Sequence, residues 1–222
     1  ARLAATHREH RREMYRSMAS SLARLHNIDF RQVGLGDYGK RSGYFSRQIA
    51  RWTRQWELSR QAGNDHIQRL VDWLPENIPA DDICTISHGD YRVGNLLFSP
   101  DEPKVAAVLD WELSTLGHPL ADLAHFCIAW HSSPDEYGGI RGLDPDEHGL
   151  PTQGVFEDWY YSEAAHGLRL EPFHMAFALF RFAVVFEGIA ARARAGNATG
   201  PGAKTVGHLS SSFAERAVEM IA

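Results

Sequence analysis

The stretch Ile83-Cys84-Thr85-Ile86-Ser87-His88-Gly89-Asp90-Tyr91-Arg92-Val93-Gly94-Asn95-Leu96-Leu97-Phe98 decides how the rest of the chain reads. Short apolar runs at 83 to 86 and 96 to 98 flank a polar loop. A third run, Val105-Ala106-Ala107-Val108-Leu109, follows the turn formers Ser99-Pro100-Asp101-Glu102-Pro103. Apolar runs of this length bounded by turn residues read as strands, and the turn joins the last two into a hairpin. Such a hairpin returns Asp110, which closes the third run, towards the loop that carries Asp90 and Asn95.

Phosphoryl transfer to a hydroxyl needs an Asp to take the proton of the attacking group and, five positions on, an Asn whose amide oxygen can hold a magnesium ion. Asp90 and Asn95 have that spacing, and Asp110 supplies the second carboxylate that must meet metal-bridged phosphates. A lone Asp or Asn beside a strand is ordinarily a turn former or a cap. It is the order of Asp90, Asn95, hairpin, Asp110 and Asp122 that lifts the reading above that.

The motif His88-Gly-Asp-x4-Asn95, then Leu109-Asp110-Trp111-Glu112, then Gly117-His118-Pro119-Leu120-Ala121-Asp122-Leu123-Ala124, resembles the aminoglycoside phosphotransferase and choline kinase superfamily. The wording around Asp90, with Gly34-Leu-Gly-Asp-Tyr-Gly upstream, is most similar to the branch found alone in bacteria or fused to acyl-CoA dehydrogenase domains. The resemblance runs through nearly the whole chain and implies an α+β, mainly α fold, the C-terminal catalytic lobe of a protein-kinase-like enzyme over residues 1–222. It further implies ATP and Mg2+, Asp90 as base, Asn95 and Asp110 on the metal, Asp122 bracing the loop, and His88 supporting the loop backbone. Glu112 stands where protein kinases carry a glycine, and is a candidate for a group beside the metal that does not itself ligate it, or for the partner of a cation.

Around this centre the chain reads as helical. Met14, Met18, Leu22 and Leu25 recur at steps of four and three, one stripe of an amphipathic helix from about Arg8 to Asn27. Glycine-rich residues 31 to 43 read as a loop, followed by a helix from about Ser42 to Arg60. A third helix is capped by Asn64 or Asp65 and ended by Pro75. After Pro119 the pattern is helical to about His131, a Pro/Gly-rich loop covers 132 to 154, and helices follow near 155 to 166, 172 to 195 and 203 to 221, parted by Gly196 and Gly200-Pro201-Gly202.

Apolar residues make up 44% of the 222, enough for a core. Cys84 and Cys127 form no C-x-x-C or metal-ligand pattern and read as reduced thiols in a cytoplasmic protein. No window approaches the run of about 18 apolar residues that a membrane span needs, so no membrane partner is expected. Net charge is −5, divided unevenly: residues 1 to 60 hold 13 Lys/Arg against 5 Asp/Glu, and the remainder 10 against 23. The arginines accompany no nucleic-acid motif, and no nucleic acid is expected.

Gly34-Leu35-Gly36-Asp37-Tyr38-Gly39 satisfies G-x-G-x-x-G, but it follows a helix and has no strand pair around it, so it reads as a loop near the substrate entrance. The lysines are Lys40, Lys104 and Lys204, none in a strand before residue 83. With Ala1 in place of a Met, the expectation is a piece of a longer protein whose nucleotide-binding lobe lies outside it, poorly active alone. A small-molecule hydroxyl substrate follows if Asp90 is the base. An acidic pocket using Glu157, Asp158, Glu163 or Glu187 would suit an aminoglycoside. The basic first 60 residues, with Arg47, Arg51 and Arg54 at helical steps, favour an anionic hydroxy acid or hydroxyacyl-CoA. The rivals are a pseudokinase or regulatory module and a metal-dependent hydrolase using His88, Asp90, Asp110, His118, Asp122 and His125.

Overall fold

Runs 96 to 98 and 105 to 109 pair as an antiparallel hairpin, β2 (Leu96–Phe98) with β3 (Val105–Val108), in a computed structural model that describes residues 7–60, 63–196 and 207–222. Leu96 faces Val108 and Leu97 faces Ala107, and the register slips at Phe98, which faces Val105. The preceding strand, β1 (Thr85–Ser87), lies outside this hairpin. It pairs antiparallel with β4 (Thr115–Gly117), Ile86 opposite Leu116. The single hairpin expected from the sequence is therefore two separate two-stranded sheets. Thr115-Leu116-Gly117 has too few residues to show a period of its own, and becomes a strand because β1 supplies its hydrogen bonds.

The chain divides into two compact units, each with its own core, where the sequence reads as one lobe. The first combines the described residues up to Arg41 with Ile83–Arg169, and the second combines those of Ser42–Asp82 with those from Leu170 on. In the first, α1 (Arg8–His26) packs on α7 (Gln153–Glu163), on β1 and on β3, and α4 (Pro119–Cys127) packs on β1. The predicted stripe of α1 is the buried one: Met14, Met18, Leu22 and Leu25 all face the core. Phe126 of α4 stacks on Phe156 of α7 with ring centroids 4.5 Å apart, and Tyr15 meets both rings edge-on. Between α4 and α7 the stretch read as a loop contains two helical turns, α5 (Pro134–Tyr137) and α6 (Pro145–His148), each opened by a proline. Proline suits that position because the first N–H of a helix has no partner to lose.

The second unit holds α2 (Tyr44–Ser59), α3 (Asp65–Glu76), α8 (Pro172–Arg194) and α9 (Gly207–Glu219). Asn64 caps α3 by accepting from the N–H groups of His66 and Ile67, and Pro75 lies within its last turn. Phe45 of α2 packs edge-on against Phe173 and Phe177 of α8, and Phe186 stacks on Phe213 of α9. Contrary to the sequence expectation, α8 is long and apolar enough to cross a membrane by length and composition. Its most apolar window is 72% buried, as befits the central helix of this unit. The break at Gly200-Pro201-Gly202 lies outside the described residues.

Candidate active site

Gly89 lets the loop of residues 88 to 95 turn where it does. Its φ is +81°, and a Cβ there would lie 2.5 Å from the carbonyl oxygen of Leu113, so both the backbone angle and the space exclude a side chain. On either side of Gly89 the loop is held from α4. Buried Asp122 accepts the His88 N–H at 2.6 Å on Oδ2 and the Gly89 N–H at 2.8 Å on Oδ1. His26 Nε2 lies 3.3 Å from the same Oδ2, its Nδ1 lies 2.7 Å from the Tyr160 hydroxyl, and that hydroxyl lies 2.8 Å from His166 Nε2. Burial pushes the Asp122 carboxyl up, but His26 and the two backbone N–H groups outweigh it and hold the carboxyl below the ordinary range. Tyr91, completely buried, donates to the Met18 carbonyl at 2.9 Å and pins the loop to α1.

His88 is fully buried, and both of its ring nitrogens serve the backbone. Nε2 lies 2.9 Å from the Leu109 carbonyl, which can only accept, and Nδ1 accepts the Asp90 N–H at 3.2 Å. The ring therefore carries its proton on Nε2 and joins the loop to the end of β3. The Leu109 N–H donates to the Asn95 carbonyl at 2.8 Å, the next rung beyond the Leu96 and Val108 pair. Asn95 and Asp110 consequently sit at the same end of the hairpin.

Asp90 has a different environment. Oδ1 lies 3.0 Å from His125 Nε2, while Oδ2 accepts from Asn95 Nδ2 at 2.7 Å and from Arg92 Nε at 3.1 Å. The Asn95 amide also donates to the Asp90 carbonyl at 2.9 Å, so both its N–H groups face Asp90 and its oxygen makes no hydrogen bond among the described residues. Burial alone would raise the Asp90 pKa, but the hydrogen bonds and charges of His125 and Arg92 hold it far below the ordinary carboxylate value. His125 was weighed in the sequence only as a ligand of the hydrolase rival. The available signal was its place three residues after Asp122, which puts both side chains on one face of α4.

Asp110 is exposed and left-handed, with φ 66° and ψ 61°, the single described non-glycine residue with positive φ. Its carboxylate makes no hydrogen bond among the described residues. Glu112, in the turn Trp111–Leu113 that follows, is also exposed, with no hydrogen bond or ion pair among them. The oxygens of Asn95 and Asp110 are hard donors suited to Mg2+, which keeps waters and phosphate oxygens for most of its positions. No group of three or more His, Cys, Asp or Glu side chains able to hold a metal occurs among the described residues. Of the residues in the hydrolase alternative, His88 and Asp122 bind backbone N–H groups, and His118 caps α4 by accepting from Leu120 N.

The Gly34–Gly39 loop packs on the segment after Asp110. Tyr38 Oη lies 2.5 Å from Ser114 Oγ, and a Cβ on Gly39 would meet Thr115 Oγ1 at 2.5 Å. Ser114 Oγ in turn donates to the Trp111 carbonyl. Arg47, Arg51 and Arg54 lie on α2 in the other unit from Asp90, Arg51 against the Trp52 ring. Of the acidic candidates, Glu163 accepts from Ser20 at 2.7 Å, Glu187 pairs with Arg194 at 2.8 Å and Glu157 accepts from Gln153 at 2.8 Å, so three of the four already have partners.

Comparison with known proteins gives the chain its family. Residues 1–150 match the model of the phosphotransferase enzyme family. A solved structure from Ralstonia eutropha JMP134, assigned to the aminoglycoside phosphotransferases, is 39% identical over 96% of this chain and 67% of its own, with a TM-score of 0.90. The chain belongs to the phosphotransferase enzyme family. Choline kinase from Cryptosporidium parvum Iowa II shares the fold of this phosphotransferase at 11% identity and a TM-score of 0.65, over 95% of this chain and 65% of the kinase. Acyl-CoA dehydrogenase family member 10 of Mus musculus is 36% identical over 93% of the phosphotransferase chain. Acyl-CoA dehydrogenase family member 11 of Homo sapiens is 33% identical over 84% of it. The chain spans only 20% and 24% of the length of these two relatives. The fold is thus the kinase-like one expected.

Proposed function

We propose that the chain carries the acceptor-side chemistry of an ATP- and Mg2+-dependent kinase that phosphorylates a hydroxyl group of a small anionic molecule, a hydroxy acid or hydroxyacyl-CoA. The observation that carries this reading is the Asp90 carboxylate, held by His125, Arg92 and Asn95 at the end of the hairpin that also bears Asp110. Oδ2 has two partners and Oδ1 has one, so the lone pair left on Oδ1 is the natural acceptor for the substrate hydroxyl proton. The alcohol oxygen forms its bond to the γ-phosphorus as the bond to the ADP oxygen breaks. ADP leaves with that electron pair, and the proton passes to Asp90. A carboxylate held at low pKa is a weak base, which suits a loose transition state in which orienting the alcohol matters more than early proton removal. Asn95 and Asp110 would hold the magnesium that neutralises the phosphates.

The anionic acceptor is supported by the excess of positive charge in residues 1 to 60 and by relatives named as acyl-CoA dehydrogenases, to which this domain is proposed to be fused in longer proteins. Assay of the full-length natural polypeptide with a panel of hydroxy acids, their CoA thioesters and aminoglycosides tests both parts. Asp90→Asn is expected to lower kcat by at least about 100-fold. Activity retained in that variant removes the base assignment, and preference for aminoglycosides removes the anionic acceptor. The 222-residue chain alone is expected to turn ATP over poorly, and robust magnesium-dependent turnover by it would show the expectation wrong.

A further inference from the structure

We propose that Arg92 forms an oxyanion-binding fork, whose two terminal nitrogens receive the phosphoryl group in flight while its Nε holds the base. The inference rests on the base assignment just made and adds to it a binding site for a tetrahedral phosphoryl oxyanion. Arg92 uses one donor on Asp90, Nε to Oδ2 at 3.1 Å. An arginine recruited only to pair with a carboxylate commonly presents two parallel N–H groups. Here neither terminal nitrogen makes a hydrogen bond among the described residues, and the side chain is 42% exposed. Asp90 already has His125 and Asn95 to orient it, so the remaining N–H groups of the guanidinium are unexplained by that task.

Gly94 points the same way. A Cβ at this position would lie 2.7 Å from Arg92 Nη1 and 3.8 Å from Nη2, so the fork lies back over a residue without a side chain. Tyr137, Asp90 and Asp110 all act electrostatically on the guanidinium, so its charge is felt by both the base and the metal-side carboxylate. The transferred phosphorus must lie in line between the alcohol oxygen on Asp90 and the leaving oxygen. A planar fork anchored on Asp90 stands beside the carboxylate that would orient that alcohol. Its charge offsets the repulsion that two carboxylates would exert on a polyphosphate.

The test uses the 222-residue chain with inorganic tripolyphosphate and Mg2+, followed by calorimetry, alongside kcat and KM for ATP in the full-length polypeptide. Arg92→Met is expected to weaken tripolyphosphate binding by about 30-fold, and Arg92→Lys, which keeps the charge but loses the fork, by about fivefold. Gly94→Ala, which displaces Nη1, should weaken it by about threefold. Lys104→Met removes an equal charge from an exposed turn and should leave the affinity within about twofold. In the full-length polypeptide kcat should fall further than KM rises in Arg92→Lys. Unchanged tripolyphosphate affinity in Arg92→Met overturns the inference, as does a wild-type chain that does not bind tripolyphosphate. The base assignment fails separately. Transfer lost in Asp90→Asn with binding intact in Arg92→Met sinks the fork alone, and transfer retained in Asp90→Asn with binding weakened in Arg92→Met sinks the base alone.

Discussion

The two carboxylate-bearing segments of the site are built in opposite ways. Asp90 lies in a loop whose backbone and side chains are bonded at almost every residue, through Asp122, His88, Tyr91, Asn95, Arg92 and His125. Asp110 stands exposed at the end of β3, its side chain making no hydrogen bond among the described residues and its backbone held in the left-handed region. The contrast indicates that the Asp90 carboxylate, the proposed base, is oriented by the protein itself, whereas that of Asp110, the proposed metal ligand, is kept accessible at a cost in local conformation. Preorganisation and ligand access are thus divided between the loop that enters one end of the hairpin and the residue that leaves it there.

Replacing Asp110 by Gly would break that contrast most sharply. The left-handed strain disappears, so stability should rise by up to about 1 kcal/mol by urea denaturation, while transfer in the full-length polypeptide falls by about 1000-fold. A loss of stability in Asp110→Gly would mean that the segment is not strained as described. On the other side, Asp122→Ala leaves the buried His88 and Gly89 N–H groups without their acceptor and should cost about 3 kcal/mol. Gly89→Ala meets both the Leu113 carbonyl and a positive φ and should cost about 2 kcal/mol, read from the same urea midpoints. His125→Phe should reduce kcat by about tenfold with stability nearly retained, and His125→Gln, which can still donate to Oδ1, should recover part of it.

The smallest effect concerns acid. Asp90 and Asp122 both have depressed pKa values in the folded chain, so each contributes stability that is fully present above the unfolded carboxyl value near about 4 and is lost as pH falls through the folded value. Unfolding midpoints should decline below about pH 4, and the decline should be shallower in Asp122→Asn. An unchanged acid limb in that variant would show that Asp122 is not the group responsible.

Legibility in the sequence followed locality. The hairpin β2–β3 and the stripe of α1 are decided within a few residues and were readable from local pattern, which also narrowed the cap of α3 to Asn64 or Asp65, Asn64 being the one that accepts the N–H groups. Strand β4 was not, because Thr115–Gly117 is a strand only beside β1, about 30 residues away in the chain. The two compact units have no such local signal, since hydrophobic period says which face is buried and not against which partner. At the site, Asp90, Asn95, Asp110 and Asp122 carry a spacing, whereas His26 meets Asp122 only through the fold. His125 lay in plain view, and its contact with Asp90 depends on where α4 is docked.

The pairing of His26 with Asp122 spans 96 positions, and the chain leaves the first unit at Arg41 and re-enters it at Ile83. During synthesis, α1 leaves the ribosome long before the carboxylate that will lock the loop, and all of Ser42–Asp82, the second unit's first segment, emerges in between. The brace on His88 and Gly89 can therefore close only after a large loop has been gathered, which makes it a late event of high contact order. A nascent chain stalled before residue 122 would display the His-Gly-Asp motif without the carboxylate that braces His88 and Gly89.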